Sequence, residues 1–340
     1  MTAAALIAAR VAAGLLAILV TGYGAGALWF RGPQQPLARA VLIGLWSIAG
    51  AAALAGLILP HWLGPALFAM AGLAFAIWWS RIQPAADRDW APDVARTLGV
   101  ARRGSRVRLY NVRNFDWHTR NDFSIRWETR DYDLDDLIAV DLVASYWSGP
   151  TIAHTLVSFA FADGRHLVFS VEVRRLAGSE FSAVGGLFRQ CELALVAADE
   201  RDIVRTRSNA RGEDVYLYRV ALPPAEIRAL FAAYLDTADT LAATPRFYNT
   251  LTSNCTTLVY DLVKPIVPGL PWNWRLLASG YLPEYLYRIG GLDSRLSLAA
   301  LHQHGHINER ALAADAHGDD FSQAIRRGLP APANSAQPPP

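Results

Sequence analysis

Only two of the 340 residues are cysteine, Cys191 and Cys255, so at most one disulfide can form and a scaffold held together by several bridges is excluded. Net charge is equally sparse. The 32 basic and 30 acidic residues leave +2, and no block of like charge runs far enough to follow a phosphate backbone, so no nucleic-acid partner is expected. No internal repeat is present, which removes solenoid architectures. Charge is missing altogether from three stretches of the first quarter, Val11–Phe30, Ala40–Leu59 and Trp62–Trp79. Each has about the 18 to 20 residues needed to cross a hydrocarbon core at 1.5 Å per residue, so each is read as a transmembrane helix.

Pro60 and His61 alone separate the second span from the third, which predicts a tight helical hairpin. Trp29, Trp62, Trp78 and Trp79 lie where interfacial aromatics belong. The alternative for the first span is a cleaved signal peptide, with Arg10 ahead of the apolar run and small residues from Gly24 to Ala27; it leaves the next two spans unexplained. Arg10, Arg31, Arg39 and Arg81 are too evenly spread to set orientation by charge. With three spans the two ends lie on opposite sides, and a cytoplasmic N-terminus puts everything after residue 81 outside the inner membrane.

Residues 82–99 read as a polar connector punctuated by Pro and Asp, and 329–340 as a disordered tail rich in Pro, Ala and Ser. Between them, residues 100–328 form one domain. Its first half alternates as strands do, over 107–112, 123–129, 139–147, 153–162 and 165–174. The period then changes. Residues 224–243 space Ile227, Leu230, Phe231 and Tyr234 as a helix does, behind Pro223 and Pro224. A second helix is expected over 253–263, stopped by Pro265. The class is α+β, an antiparallel sheet followed by packed helices.

The turn Ala162-Asp163-Gly164 limits how strands 153–162 and 165–174 pair. A two-residue Asp-Gly turn mixes apolar and polar side chains on each face. A three-residue loop with Gly164 left-handed instead puts Val157, Phe159 and Phe161 on one face with Leu167, Phe169, Val171 and Val173. The opposite face then carries His154, Ser158, Ser170 and Glu172, with His154 directly across from Glu172. His166 stands 166 − 154 = 12 positions after His154, but this register pairs it near Ala160, about 20 Å along the strand at ~3.3 Å per residue.

Cysteine is a nucleophile as thiolate, and the first turn of a helix lowers its pKa through unpaired N–H groups and the dipole. Cys255 fits that place, with Thr252 or Ser253 as cap and its own N–H open to an oxyanion. With His154 as base and Glu172 as orienting carboxylate, the set follows the logic of a nucleophile–base–acid triad. The plainer readings are a surface histidine, a core cysteine, and a Glu172 paired with Arg174 or Arg175. Cys191 is taken as packing. Tyr146, Trp147 and Tyr248 are candidates to line an acyl groove or to fill core, and Asn254 is a substrate or oxyanion candidate. His302, His304 and His306 read as a solvated loop, Arg211–Asp214 as a turn without chemistry, and neither metal nor cofactor is expected.

Tyr248-Asn-Thr-Leu-Thr-Ser-Asn254-Cys255 resembles the nucleophile segment of permuted NlpC-type papain-like enzymes, including the lecithin retinol acyltransferase group. The stretch from Tyr132 to Cys255 resembles the Lnb N-terminal periplasmic domain family more closely. It holds Ser145-Tyr146-Trp147, Gly149-Pro150, Ala153-His154-Thr155, Phe169-Ser170-Val171-Glu172, Ala198-Asp199-Glu200-Arg201 and Asn254-Cys255-Thr256-Thr257. These resemblances imply a permuted papain-like domain in the periplasm of a Gram-negative envelope and acyl transfer through a Cys thioester. The family's name-giving enzyme moves an acyl chain to the α-amino group of a bacterial lipoprotein. Here the spans precede the domain, whereas in that enzyme the periplasmic domain comes first. The expected function is a membrane-anchored cysteine acyltransferase or amidase whose partners are membrane lipids and a lipoprotein. The alternatives are an NlpC-type peptidase acting on cell-wall peptide and a non-enzymatic binding module with Cys255 buried or bridged to Cys191.

Overall fold

The computed structural model describes residues 2–59, 61–85 and 87–330; Pro60 of the expected hairpin and residues 331–340 of the expected tail lie outside the described residues. The first unit holds three long apolar helices, α1 (Ala3–Arg31), α2 (Pro36–Ile58) and α3 (Leu63–Arg81), each able to cross a membrane by length and composition. Small residues let them approach closely. The Trp46 indole occupies the space that a side chain at Gly24 would fill, and its Nε1 donates to the Thr21 carbonyl at 2.9 Å. Ser182–Gln190 belongs to this unit as well, although composition gives no hint of it. Phe188 stacks on Phe30, and Arg189 lies over Trp79 while donating to the carbonyls of Trp79 and Ile82.

The second unit is the α+β domain. Its strands are β1 (Gly99–Arg103), β2 (Arg106–Arg113), β3 (Asp116–Trp117), β4 (Phe123–Ser124), β5 (Trp127–Asp133), β6 (Leu137–Tyr146), β7 (Ala153–Phe161), β8 (His166–Arg174), β9 (Glu192–Ala198) and β10 (Asp214–Arg219). Its helices are α4 (Glu200–Arg205), α5 (Pro224–Ala243), α6 (Thr257–Val263), α7 (Leu282–Arg288), α8 (Leu298–Gly305), α9 (Asn308–His317) and α10 (Phe321–Ala324). The main sheet runs β1-β2-β9-β8-β7-β6-β10, with β5 also on β2. The sheet is mixed, not purely antiparallel: β2 meets β9 in parallel at Arg113 and Ala198. That pairing joins strands far apart in sequence, and local alternation carries no record of it. The strand expected over 123–129 is also broken, because β4 leaves the main sheet to pair with β3.

The β7–β8 hairpin takes the three-residue loop. Val157 faces Phe169, Ala160 faces His166, and Gly164 has φ +87°, where a Cβ is strained. Phe159, Phe161, Leu167 and Phe169 accordingly share one core with the buried stripe of α5, where Phe231 meets Phe159 edge-on and Tyr234 stacks on Phe169. The other face is covered too. Leu156 and Val168 pack with Ile203 of α4, Ala311 of α9 and Phe321 of α10, so polar groups on that face are buried and must be paired. Two stretches read as irregular are part of this packing. Ala91, Val94 and Leu98 of the expected connector are buried, as is Trp90, and Leu329 of the expected tail rests on the second core. Their apolar residues are too few to show a period.

Candidate active site

Strand pairing and one helix start bring Cys255, His154 and Glu172 together. The β7–β8 ladder stops at Leu156 and Ser170, while β7 stays on β6 and β8 stays on β9. By the alternation of antiparallel bonds the Thr155 N–H belongs opposite Val171. Thr155 stands against Cys255 there, and its backbone and hydroxyl both favour the thiolate.

Cys255 arrives there by a cap. Asn254 Oδ1 accepts from the N–H groups of Thr256 and Thr257, each at 2.9 Å, while Thr257 Oγ1 accepts from the Asn254 N–H at 3.0 Å. This reciprocal pair is a capping box with threonine in the third position. Leu258 N–H bonds the Asn254 carbonyl, so Asn254 caps a turn that holds Cys255 and leads into α6, whose regular span begins at Thr257 and not at the expected Ser253. The cap is therefore neither Thr252 nor Ser253: Thr252 is taken up by the Asn249 turn, and Ser253 pairs backbone to backbone with Asn249. Among the described residues no acceptor meets the Cys255 N–H. We expect Asn254→Ala to cost about 1 kcal/mol of domain stability and to slow Cys255 alkylation, with Asn254→Asp retaining both, as read by denaturation and thiol labelling.

His154 Nε2 lies 2.8 Å from Ser170 Oγ and 3.2 Å from Glu172 Oε1, and Ser170 Oγ donates to the same carboxylate oxygen at 2.7 Å. With Ser170 donating onward it accepts from Nε2–H, which fixes the tautomer and leaves Nδ1 for the sulfur. Glu172 does not pair with Arg174 or Arg175. Arg174 donates to the carbonyls of Val94 and Ala95, and Arg175 forks onto Asp93. Its cation is Arg207, at 3.2 Å, presented by a π turn over Thr206–Ala210 and held on its other side by Glu213. Glu213 also accepts from Ser145, so the 211–214 turn does contribute a charge to the site's surroundings.

The charges follow from this packing. Burial alone raises the Cys255 thiol pKa, but the hydrogen bond and charge of His154, with Thr155, bring it down to about 6. Burial and Arg207 both oppose the His154 imidazolium; Glu172 and Cys255 outweigh them and raise its pKa. Glu172 is held well below the usual carboxylate range, against its burial, by His154, Arg207 and Arg113.

The remaining candidates are spread around this centre. Tyr146 donates its hydroxyl to the Gly280 carbonyl, Trp147 is exposed, and Tyr248 is buried in the main core with its N–H on the Cys191 carbonyl. Cys191 is buried in packing as expected, and both cysteines are thiols. The three histidines are solvated as expected, but His302 and His304 stand on a helix, α8, and not in a loop; His302 contacts the Tyr218 hydroxyl at 2.7 Å, and His306 pairs with Asp214. The alternation of His with Gln and Gly hid the helix. Thr155, Ser170 and Arg207 are the contributors that sequence reasoning passed over. Ser170 was legible as a neighbour on the correct face, whereas Arg207 carries no local signal at all.

Residues 123–280 match the sequence model of the Lnb N-terminal periplasmic domain family, a stretch that contains His154, Glu172, Asn254 and Cys255. No curated protein and no solved structure matches the chain. Three apolar helices ahead of a region that matches a periplasmic domain describe an inner-membrane protein with its soluble domain in the periplasm.

Proposed function

We propose that this protein is a membrane-anchored cysteine acyltransferase or amidase that works through a thioester at Cys255. The observation that carries the reading is a partly exposed thiol beside a histidine that a half-buried carboxylate orients, a setting that brings the thiol pKa down to about 6. The order His154, Glu172, Cys255 and the strand–strand–helix placement are also those of permuted papain-like enzymes, and that likeness supports the same reading. The thiolate attacks an ester or amide carbonyl, and the Cys255 N–H receives the oxyanion. The His154 imidazolium gives its proton to the leaving group, leaving a thioester and a neutral ring. That ring then takes the proton of an incoming amine or water, the new bond forms, and the sulfur leaves as thiolate. Three membrane helices in the same chain favour a lipid ester as donor, and a lipoprotein amine is the acceptor that the resemblance drawn from the sequence implies.

Mass spectrometry of the full chain after incubation with phospholipid carrying a labelled acyl chain tests this. A fatty acyl adduct on Cys255, absent from Cys255→Ser, is the expected result. Cleavage of cell-wall peptide with no such adduct would replace it by the peptidase reading, and a thiol inert to both would leave a binding module.

A further inference from the structure

The two ends of the β7–β8 hairpin open onto very different surfaces. At the turn end, Asp163, Arg165, Arg201 and Asp319 line an open polar cavity of about 600 Å³. At the end that holds Cys255, large apolar side chains stand in water instead. Trp147 and Ile152 occupy the loop between β6 and β7, which pairs Tyr146 with Ala153. Leu251 comes four residues before the thiol. Trp272 and Trp274, 65% and 50% exposed, belong to a loop anchored beside the same place, where Gly280 N–H bonds the Thr151 carbonyl and Ser279 accepts from Ala153 N–H. Apolar side chains gathered at one site in this way mark an interaction surface, and exposed indoles are characteristic of a membrane–water boundary.

The course of the chain says what covers them. Phe181, also exposed at this end and edge-on to Tyr248, runs directly into Ser182–Gln190, which packs with the membrane helices. There Phe188 meets Tyr23 at 5.3 Å and Phe30 at 5.4 Å, and Arg189 is held by the last carbonyls of α3. A lipid surface is thereby tied to the rim through the chain itself, at high effective concentration.

We propose that the loops around the thiol, led by Trp272 and Trp274, seat in the interfacial layer of the phospholipid bilayer. The indoles lie at headgroup level and the thiol opens toward the glycerol esters. Only that last consequence rests on the thioester reading; the seat itself does not.

The test uses the full chain, with Cys255→Ser and Cys191→Ala, reconstituted in vesicles of phosphatidylethanolamine and phosphatidylglycerol. Single cysteines at Trp272→Cys and Trp274→Cys carry an environment-sensitive fluorophore, with Asp163→Cys at the turn end of the hairpin and Leu312→Cys on α9 as exposed controls. Lipids spin-labelled near the headgroup should quench the two rim probes by about half and leave the controls unchanged. The same fluorophore at Ile152→Cys gives a second reading without touching either tryptophan, and Trp272→Ser with Trp274→Ser should release it from quenching. Rim probes quenched by aqueous iodide as strongly as the controls, and not by lipid, would overturn the proposal. Because Cys255 is absent throughout, that failure leaves the thiol chemistry standing, and an inert thiol in the native chain leaves the bilayer seat standing.

Discussion

Alkylation of Cys255 in the native chain will rise through about pH 6, and in His154→Ala its midpoint will move up toward the ordinary thiol range of about 8.5. The sign follows from the causes: His154 is the principal group that lowers the thiol pKa, against burial that raises it. At pH 6 the labelling rate should fall about tenfold, less than the loss of thiolate alone, because a thiolate of higher pKa is intrinsically more nucleophilic. Acyl transfer should suffer far more, by about a thousandfold or beyond, since the same ring supplies and removes the proton.

The native chain has a window. A lowered thiol pKa contributes stability that is present at high pH and lost as pH falls through about 6; a raised imidazole pKa contributes stability present at low pH and lost as pH rises through its folded value. The thiolate–imidazolium pair therefore exists between the two, and transfer should follow a bell-shaped profile with its acid limb near pH 6. Glu172→Gln, which removes a charge that raises the His154 pKa, should pull in the alkaline limb. A midpoint of Cys255 labelling near 8.5 in the native chain, unmoved by His154→Ala, would sink this account.

Arg326→Met should destabilise the domain by about 3–5 kcal/mol, because it removes the guanidinium that bridges two fully buried carboxylates. Arg326 Nη2 lies 2.6 Å from Glu200 Oε1 and 2.9 Å from Asp141 Oδ2, and both acids are fully buried. Ser158 also donates to Glu200 and Arg219 to Asp141, but neither replaces the bridging guanidinium. Burial opposes ionisation of Glu200, yet Arg326 brings its pKa down to about 2. That stability is present above the unfolded carboxylate pKa and lost as pH falls through about 2. Removing Arg326 raises the Glu200 pKa, so the deficit should be largest at neutral pH and shrink on acidification. Urea unfolding of the detergent-solubilised chain, followed by near-ultraviolet circular dichroism, reads the difference. A loss below about 1 kcal/mol at pH 7 would show that solvent or a rearranged Arg219 replaces it.

Much of the candidate site was legible because its core is local. The hairpin register rested on one turn and the alternation of Val157, Phe159, Leu167 and Phe169, and it put His154 across from Glu172 before any coordinates. Cys255 in the turn that leads into a helix followed from the apolar stripe that begins at Leu258, although the helix itself starts at Thr257. Which side chain capped that turn was harder, since Thr252, Ser253 and Asn254 before the cysteine and Thr256 after it differ only in backbone geometry. The parallel β2–β9 contact and the burial of residues 90–98 depended on long-range packing.

What repeats or alternates over a few residues is readable from the chain alone: three uncharged spans, the main strands, the long helix over 224–243 and the polar run at 248–254 that leads to Cys255. Those features are set by period, length and turn chemistry, each of which acts within one element. That Thr155 meets the cysteine, that Arg207 rather than Arg174 or Arg175 holds Glu172, and that Arg326 joins Asp141 to Glu200 follow only from the packed fold. In each, a polar group drawn out of water meets a partner chosen by which distant segment packs there.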